Sequence, residues 1–104
     1  MAQFDVHHNE TGFDRDAIPF LLDVQSNPLT RLNTRVVVPL RPKAFVLRPI
    51  RHLNPTFTLM DMELVLMVED IFTTASTDLG KRIGSLAEQR DEVIRAIDFL
   101  ITGY

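Results

Sequence analysis

Asn33-Thr34-Arg35-Val36-Val37-Val38-Pro39-Leu40 is the stretch on which the reading of the fold turns. Its three adjacent valines favour extended backbone, yet they do not alternate with polar residues. A strand without alternation is one with both faces covered. Pro39 and Pro42 are expected to end it, because proline donates no ladder hydrogen bond. Upstream, Ile18, Phe20, Leu22 and Val24 alternate with Ala17, Pro19, Leu21 and Asp23, which reads as another strand, with Pro19 placing it at an edge or a bulge. Nearer the N-terminus, Phe4, Val6 and His8 share one face of an extended segment and Gln3, Asp5 and His7 the other. Asn9-Glu10-Thr11-Gly12 and Ser26-Asn27-Pro28-Leu29 supply the intervening turn and loop. Downstream, Phe57 and Leu59 are strand-like, Asp61 sits at a turn, and residues 63–68 and 71–75 read as further strands. Residues 44–54 carry no clear pattern. Short strands at this spacing predict a small barrel or sandwich.

The period changes near the C-terminus. Leu86, Val93, Ile94, Ile97, Leu100 and Ile101 fall on one face at about 100° per residue, which predicts a helix over residues 86–101. Ser85 and Glu88 have the spacing of a capping box, and Gly103 stands where a helix stops in a left-handed residue. Phe99 lies off the stripe. With Leu100 and Ile101 beside it, the last turn is apolar nearly all round, which suggests a partner surface.

The chain of 104 residues suits a single domain over its whole length. Hydrophobic residues at 45% and charged residues at 24% are globular composition, against disorder or a coiled coil. There are no cysteines, which removes disulfides, cysteine-ligated metal centres and thiol nucleophiles. No segment has the form of a leader peptide, and the longest apolar run, near residues 64–68, is far short of the roughly 18 residues of a membrane helix. A soluble, cytoplasmic protein without membrane association is expected.

The net charge of −3 is unevenly spread. Residues 24–60 hold Arg31, Arg35, Arg41, Lys43, Arg48 and Arg51 and no acid, whereas the chain from Asp61 onward holds nine acids and four bases. The basic span would suit a phosphate backbone, and an arginine beside a serine, such as Arg35 with Ser26, would suit RNA cleavage. Phe45 alone interleaves these cations, too little to stack on successive bases, so the favoured reading pairs them with the acidic C-terminal third. Catalytic signatures are otherwise missing. Gly80-Lys81-Arg82 lacks the spacing and the hydroxyl of a P-loop, and no nucleophile elbow is present. His7 and His8 would point to opposite faces of a strand and read as surface or half-buried side chains rather than metal ligands. Glu69-Asp70 and Asp91-Glu92 are adjacent, not convergent, and read as solvated faces. No metal, cofactor or catalytic residue is expected.

Four stretches together resemble the CcdB family of toxins from bacterial toxin–antitoxin modules: Gln3-Phe4-Asp5-Val6, Leu22-Asp23-Val24-Gln25-Ser26, the Val36-containing strand quoted above, and Ala96-Ile97-Asp98-Phe99-Leu100-Ile101-Thr102-Gly103-Tyr104. The likeness spans the chain and is loose over residues 42–84. It implies a mainly β fold, an SH3-like small β-barrel with one C-terminal α-helix, working as a homodimer. It further implies a poison without an active site, which binds the A subunit of DNA gyrase and traps the enzyme on cleaved DNA. A CcdA-like antitoxin with a disordered tail would neutralise it. No direct nucleic-acid binding is implied.

Carried over position by position, the resemblance makes Leu29, Asp98, Ile101, Thr102, Gly103 and Tyr104 the gyrase-binding residues. Gly103 matches the family's terminal Trp-Gly-Ile, while Thr102 and Tyr104 replace its Trp and Ile, and Pro28 departs from an apolar pair in which Leu29 fits. Losing a central Trp would weaken binding by several kcal/mol, with Tyr104 restoring some of the area. The same barrel also serves MazF-type endoribonuclease toxins, and a decayed, non-toxic relative is a further alternative.

Overall fold

The computed structural model describes residues 2–103. Seven antiparallel strands and one helix follow in the order β1 (Asp5–Asn9), β2 (Phe20–Asp23), β3 (Thr34–Pro42), β4 (Thr56–Leu59), β5 (Met62–Leu66), β6 (Phe72–Ala75), β7 (Leu79–Ser85) and α1 (Arg90–Thr102). The sheet runs β4-β5-β3-β2-β1-β7, and β6 pairs with β3 alongside β5. It curls into a half-barrel, so that Leu59 on one outer strand packs over Gly84 on the other, where an added Cβ would stand 2.9 Å from Leu59 Cδ1. This is the SH3-like barrel with a C-terminal helix that the resemblance implied.

The curl depends on β3. Along one edge it pairs with β2, from Val37 opposite Asp23 to Leu40 opposite Phe20. Along the other, residues 34–37 pair with β6 and residues 40–42 with β5. Both faces are covered, as the unalternated valines predict. Val38 joins the main core with Phe4, Val6, Leu22, Leu66 and Val93, while Val37 packs on the opposite face with Leu21 and Leu79.

Pro39 does not end this strand. It stands where the second edge passes from β6 to β5, and its carbonyl accepts from Met67 N at 2.9 Å on that side. A residue's N–H and C=O share one edge of a strand, so the missing donor falls in the gap and the β2 ladder is intact. Nor does Pro19 mark an edge. It precedes β2, which lies between β1 and β3, and its carbonyl accepts from Asn9 N at 3.0 Å. The Met60-Asp61 turn fits expectation: both residues have positive φ, 52° and 62°, as a two-residue hairpin between Leu59 and Met62 requires.

The helix begins later than its apolar stripe predicts. A short 3₁₀ turn, Ala87–Gln89, precedes α1, and no side chain caps the helix. Ser85 Oγ instead accepts from Ala87 N at 3.1 Å, so the capping box is not formed. Val93 and Ala96 bury the inner face against the core, and Ile94 and Ile97 pack partly against it.

A buried ion pair joins β2 to β3. Asp23 Oδ2 accepts from Arg35 Nη2 at 2.6 Å and Nε at 2.9 Å, and Asp23 Oδ1 accepts from Gln25 N at 3.1 Å. Removing one member of such a pair leaves an uncompensated charge indoors. Asp23→Ala is expected to destabilise the fold by about 3–5 kcal/mol in urea denaturation, and replacing both partners by apolar residues of similar volume by less. A loss below about 1 kcal/mol for Asp23→Ala would show that the pair is dispensable.

Candidate functional site

The apolar helix end divides into a docked side and a free side. Phe99 is not the outlier that the stripe suggested. It packs partly against the core, its ring 5.8 Å from that of His52. Residues 49–55, unreadable in sequence, fold over this side of α1 and supply the wall that Phe99 meets. Ile101, counted on the buried stripe, is 75% exposed, and Leu100 is 38% exposed. Thr102 Oγ1 donates to the Asp98 carbonyl at 2.7 Å. Gly103 then closes the helix at φ 80°, its N donating to Phe99 O at 2.9 Å.

Of the six residues expected to form a partner surface, Asp98, Ile101, Thr102 and Gly103 stand together at this end, all exposed. Leu29 lies apart in sequence, on the 3₁₀ turn Asn27–Leu29 after β2, 48% exposed with Pro28 beside it. Its carbonyl accepts from Gln25 Nε2 at 2.9 Å, which holds the turn to the end of β2. Tyr104 lies outside the described residues.

Between residues 49–55 and α1 runs an open cleft of about 520 Å³. Phe99, Ile50 and Pro55 give it apolar walls, Arg51, Glu92 and Arg95 give it charge, and His52 adds an imidazole. The loop leading into it exposes Phe45 and Leu47. This feature was missed in the sequence, where its only signals were an isolated His52 and the off-stripe Phe99.

The basic span is not neutralised as expected. Among the described residues, Lys43 pairs with Glu63 of the acidic third at 3.9 Å, but Arg35 pairs with Asp23, one residue outside the span. Arg35 is 1% exposed, so it is not the free arginine beside Ser26 that RNA cleavage would use. His7 is also more buried than expected: its Nδ1 lies 2.9 Å from Gly80 O, while His8 packs on Phe20 from the other face.

The curled antiparallel sheet and its single α-helix define a small protein of the SH3-like barrel class. The sequence matches the family model described as CcdB protein over residues 3–103, and the chain belongs to that family. No curated protein matches it at a significant level. Among solved structures, an endoribonuclease in complex with its cognate antitoxin, from a mycobacterial species, is similar with a TM-score of 0.77. Identity is 17%, over 97% of this chain and 94% of the other, so the likeness is one of fold. No helix among the described residues is long and apolar enough to cross a membrane.

The two sides of the helix end should separate in stability measurements. Ile101→Ser is expected to change the unfolding free energy by no more than about 0.5 kcal/mol. Phe99→Ala should cost about 2 kcal/mol, less than the roughly 3–5 of a fully buried Phe, because its ring is only half covered. Equal losses in the two variants would contradict this division.

Proposed function

We propose that this chain is the toxin of a type II toxin–antitoxin module and acts as a homodimer that binds the A subunit of DNA gyrase. The observation that carries the reading is the free helix end. Leu100 and Ile101 offer apolar area, with no role in the core, beside a glycine that lets a partner approach closely. A poison of this kind needs no nucleophile. It binds the gyrase state with cleaved DNA better than the resealed state, and the population follows that difference in affinity. Two-fold symmetry lets each subunit contribute its helix end once, so the contact is doubled without new chemistry. Leu29 on its exposed turn, with Asp98, Ile101, Thr102, Gly103 and Tyr104, forms the gyrase surface in this reading.

The antitoxin partner is a CcdA-like protein with a flexible tail that orders on binding. The cleft beside Phe99, with apolar walls and with Arg51 and Arg95 along it, suits an acidic tail. A second reading, an endoribonuclease, has the solved fold neighbour in its favour. Against it stand the surroundings of Arg35, where Asp23 is bonded to the guanidinium and neither histidine nor carboxylate lines the adjoining cleft.

Thr102 and Gly103 are exposed at the end of α1, so a protein lacking residues 102–104 is expected to keep its circular-dichroism spectrum and to lose toxicity. Purified truncated protein should no longer give cleaved plasmid when mixed with gyrase and supercoiled DNA. A truncated protein of full toxicity would refute the reading. Gly103→Glu should behave alike, because it puts an unpaired charge into the interface at a backbone conformation that side chains resist. The same preparation of wild-type protein, incubated with RNA, separates the two readings: RNA fragments without plasmid cleavage would replace gyrase poisoning by ribonuclease activity.

A further inference from the structure

A second, smaller cleft opens at the start of β3, lined by Thr30, Arg31, Leu32, Asn33, Arg35 and Ser76. Its donors are two guanidiniums, two hydroxyls and a carboxamide, and no carboxylate lines it. Arg35 forms the buried part of the lining, 1% exposed. Asp23 engages its Nε and Nη2, and among the described residues no acceptor meets Nη1. The planar guanidinium is therefore fixed in orientation by Asp23 while one nitrogen keeps its hydrogens to offer. Both carboxylate oxygens of Asp23 already accept, Oδ2 from Arg35 and Oδ1 from Gln25 N. The nearest acid along β6 and the turn that follows, Asp78, accepts from Thr74 Oγ1 at 2.6 Å.

We propose that this cleft is a binding site for a phosphate group, specifically a phosphate monoester or free inorganic phosphate. A lining rich in donors and free of carboxylates selects an oxyanion. Arg31 brings a cation with no ion-pair partner among the described residues, and Arg35 brings preoriented N–H groups. A volume of about 240 Å³ holds a phosphate group with several waters, each of which occupies about 30 Å³. No aromatic side chain lines the cleft, so it offers a base no stacking partner and reads the phosphate alone. The terminal, doubly charged phosphate of a monoester gains most from such a site. The site is independent of the gyrase reading, since it uses neither the helix end nor Leu29.

The test is a titration of isotopically labelled full-length protein with inorganic phosphate at constant ionic strength, with chloride as the control, followed by amide and arginine side-chain NMR. The expected result is a saturable shift at millimolar phosphate confined to residues 30–35 and Ser76, including the Arg35 Nε–H signal. Arg31→Gln removes an exposed side chain and should leave the dispersed spectrum intact while weakening phosphate about tenfold, the loss of one charge-assisted hydrogen bond. Ser76→Ala should weaken it less. Adenosine monophosphate binding about as tightly as phosphate would identify the terminal phosphate of a monoester as the ligand, and weaker binding would identify the free anion. Shifts spread over all surface cations, or unaltered by Arg31→Gln, would overturn the site. Tighter binding of an oligonucleotide with blocked ends would overturn the monoester assignment.

Discussion

The bond between Asp23 and Arg35 organises the half of the molecule where β2 leaves the sheet and β3 enters it. An ion pair this deep stabilises a fold only when its other hydrogen-bonding capacity is satisfied, and here the surrounding chain does that. Asp23 Oδ1 accepts from Gln25 N, and the Asp23 carbonyl accepts from Phe4 N at 2.6 Å. Gln25 in turn accepts from Val36 N through Oε1 at 3.1 Å and donates to Leu29 O. The Asp-Val-Gln segment that marks the family resemblance is thus a structural network. It fixes the N-terminal entry at Phe4, the turn that carries Leu29 and the first residues of β3 to one another.

That network sets where exposed chemistry can appear. With the turn tied down through Gln25, Leu29 stays outside, and with Arg35 committed to Asp23 the adjoining cleft has one orientation. The opposite end of the barrel is governed differently. α1 docks through Val93 and Ala96, while the segment at residues 49–55 walls in Phe99, so the helix meets apolar neighbours on two sides. Neither side reaches Ile101. A helix that outruns its supports by a turn leaves apolar surface in water, a cost that a partner's contact would recover.

The parts of this arrangement that sequence makes legible are those governed by local rules. The valines of β3 report two covered faces because side chains alternate across a strand, and Gly103 reports the helix end because its φ of 80° suits a residue without Cβ. What stays hidden depends on partners far away in the chain. Pro39 reads as a strand terminus because its harmlessness depends on β3 changing neighbours, which no local pattern encodes. β7 escapes notice altogether: Gly80, Lys81, Arg82 and Gly84 favour no strand, and the segment is held by pairing with β1 through two shifts of register. Phe99 looks idle for the same reason, since its partner His52 belongs to a stretch without periodicity. The true partner of Arg35 escapes notice because Asp23 precedes the basic span by one residue, whereas the acidic C-terminal third is the expected source of partners. At the site, the exposed end at Asp98, Ile101 and Thr102 is foreseeable from the greasy last turn, whereas both clefts are products of packing.

Binding phosphate and breaking a phosphodiester make different demands, and that difference bears on how one barrel serves both poisons and nucleases. Cleavage requires a group that takes a proton from the attacking hydroxyl, together with a cation placed where charge develops. The cleft at Arg35 has the second requirement in part and lacks the first, since neither histidine nor carboxylate lines it. The nearest carboxylate, Asp23, is spent on holding the guanidinium, so freeing it as a base would release the arginine and loosen β2 from β3 at once. In this chain Asp23 and Arg35 are bonded to each other and join β2 to β3. The unsupported turn of α1, by contrast, exposes apolar area at Leu100 and Ile101.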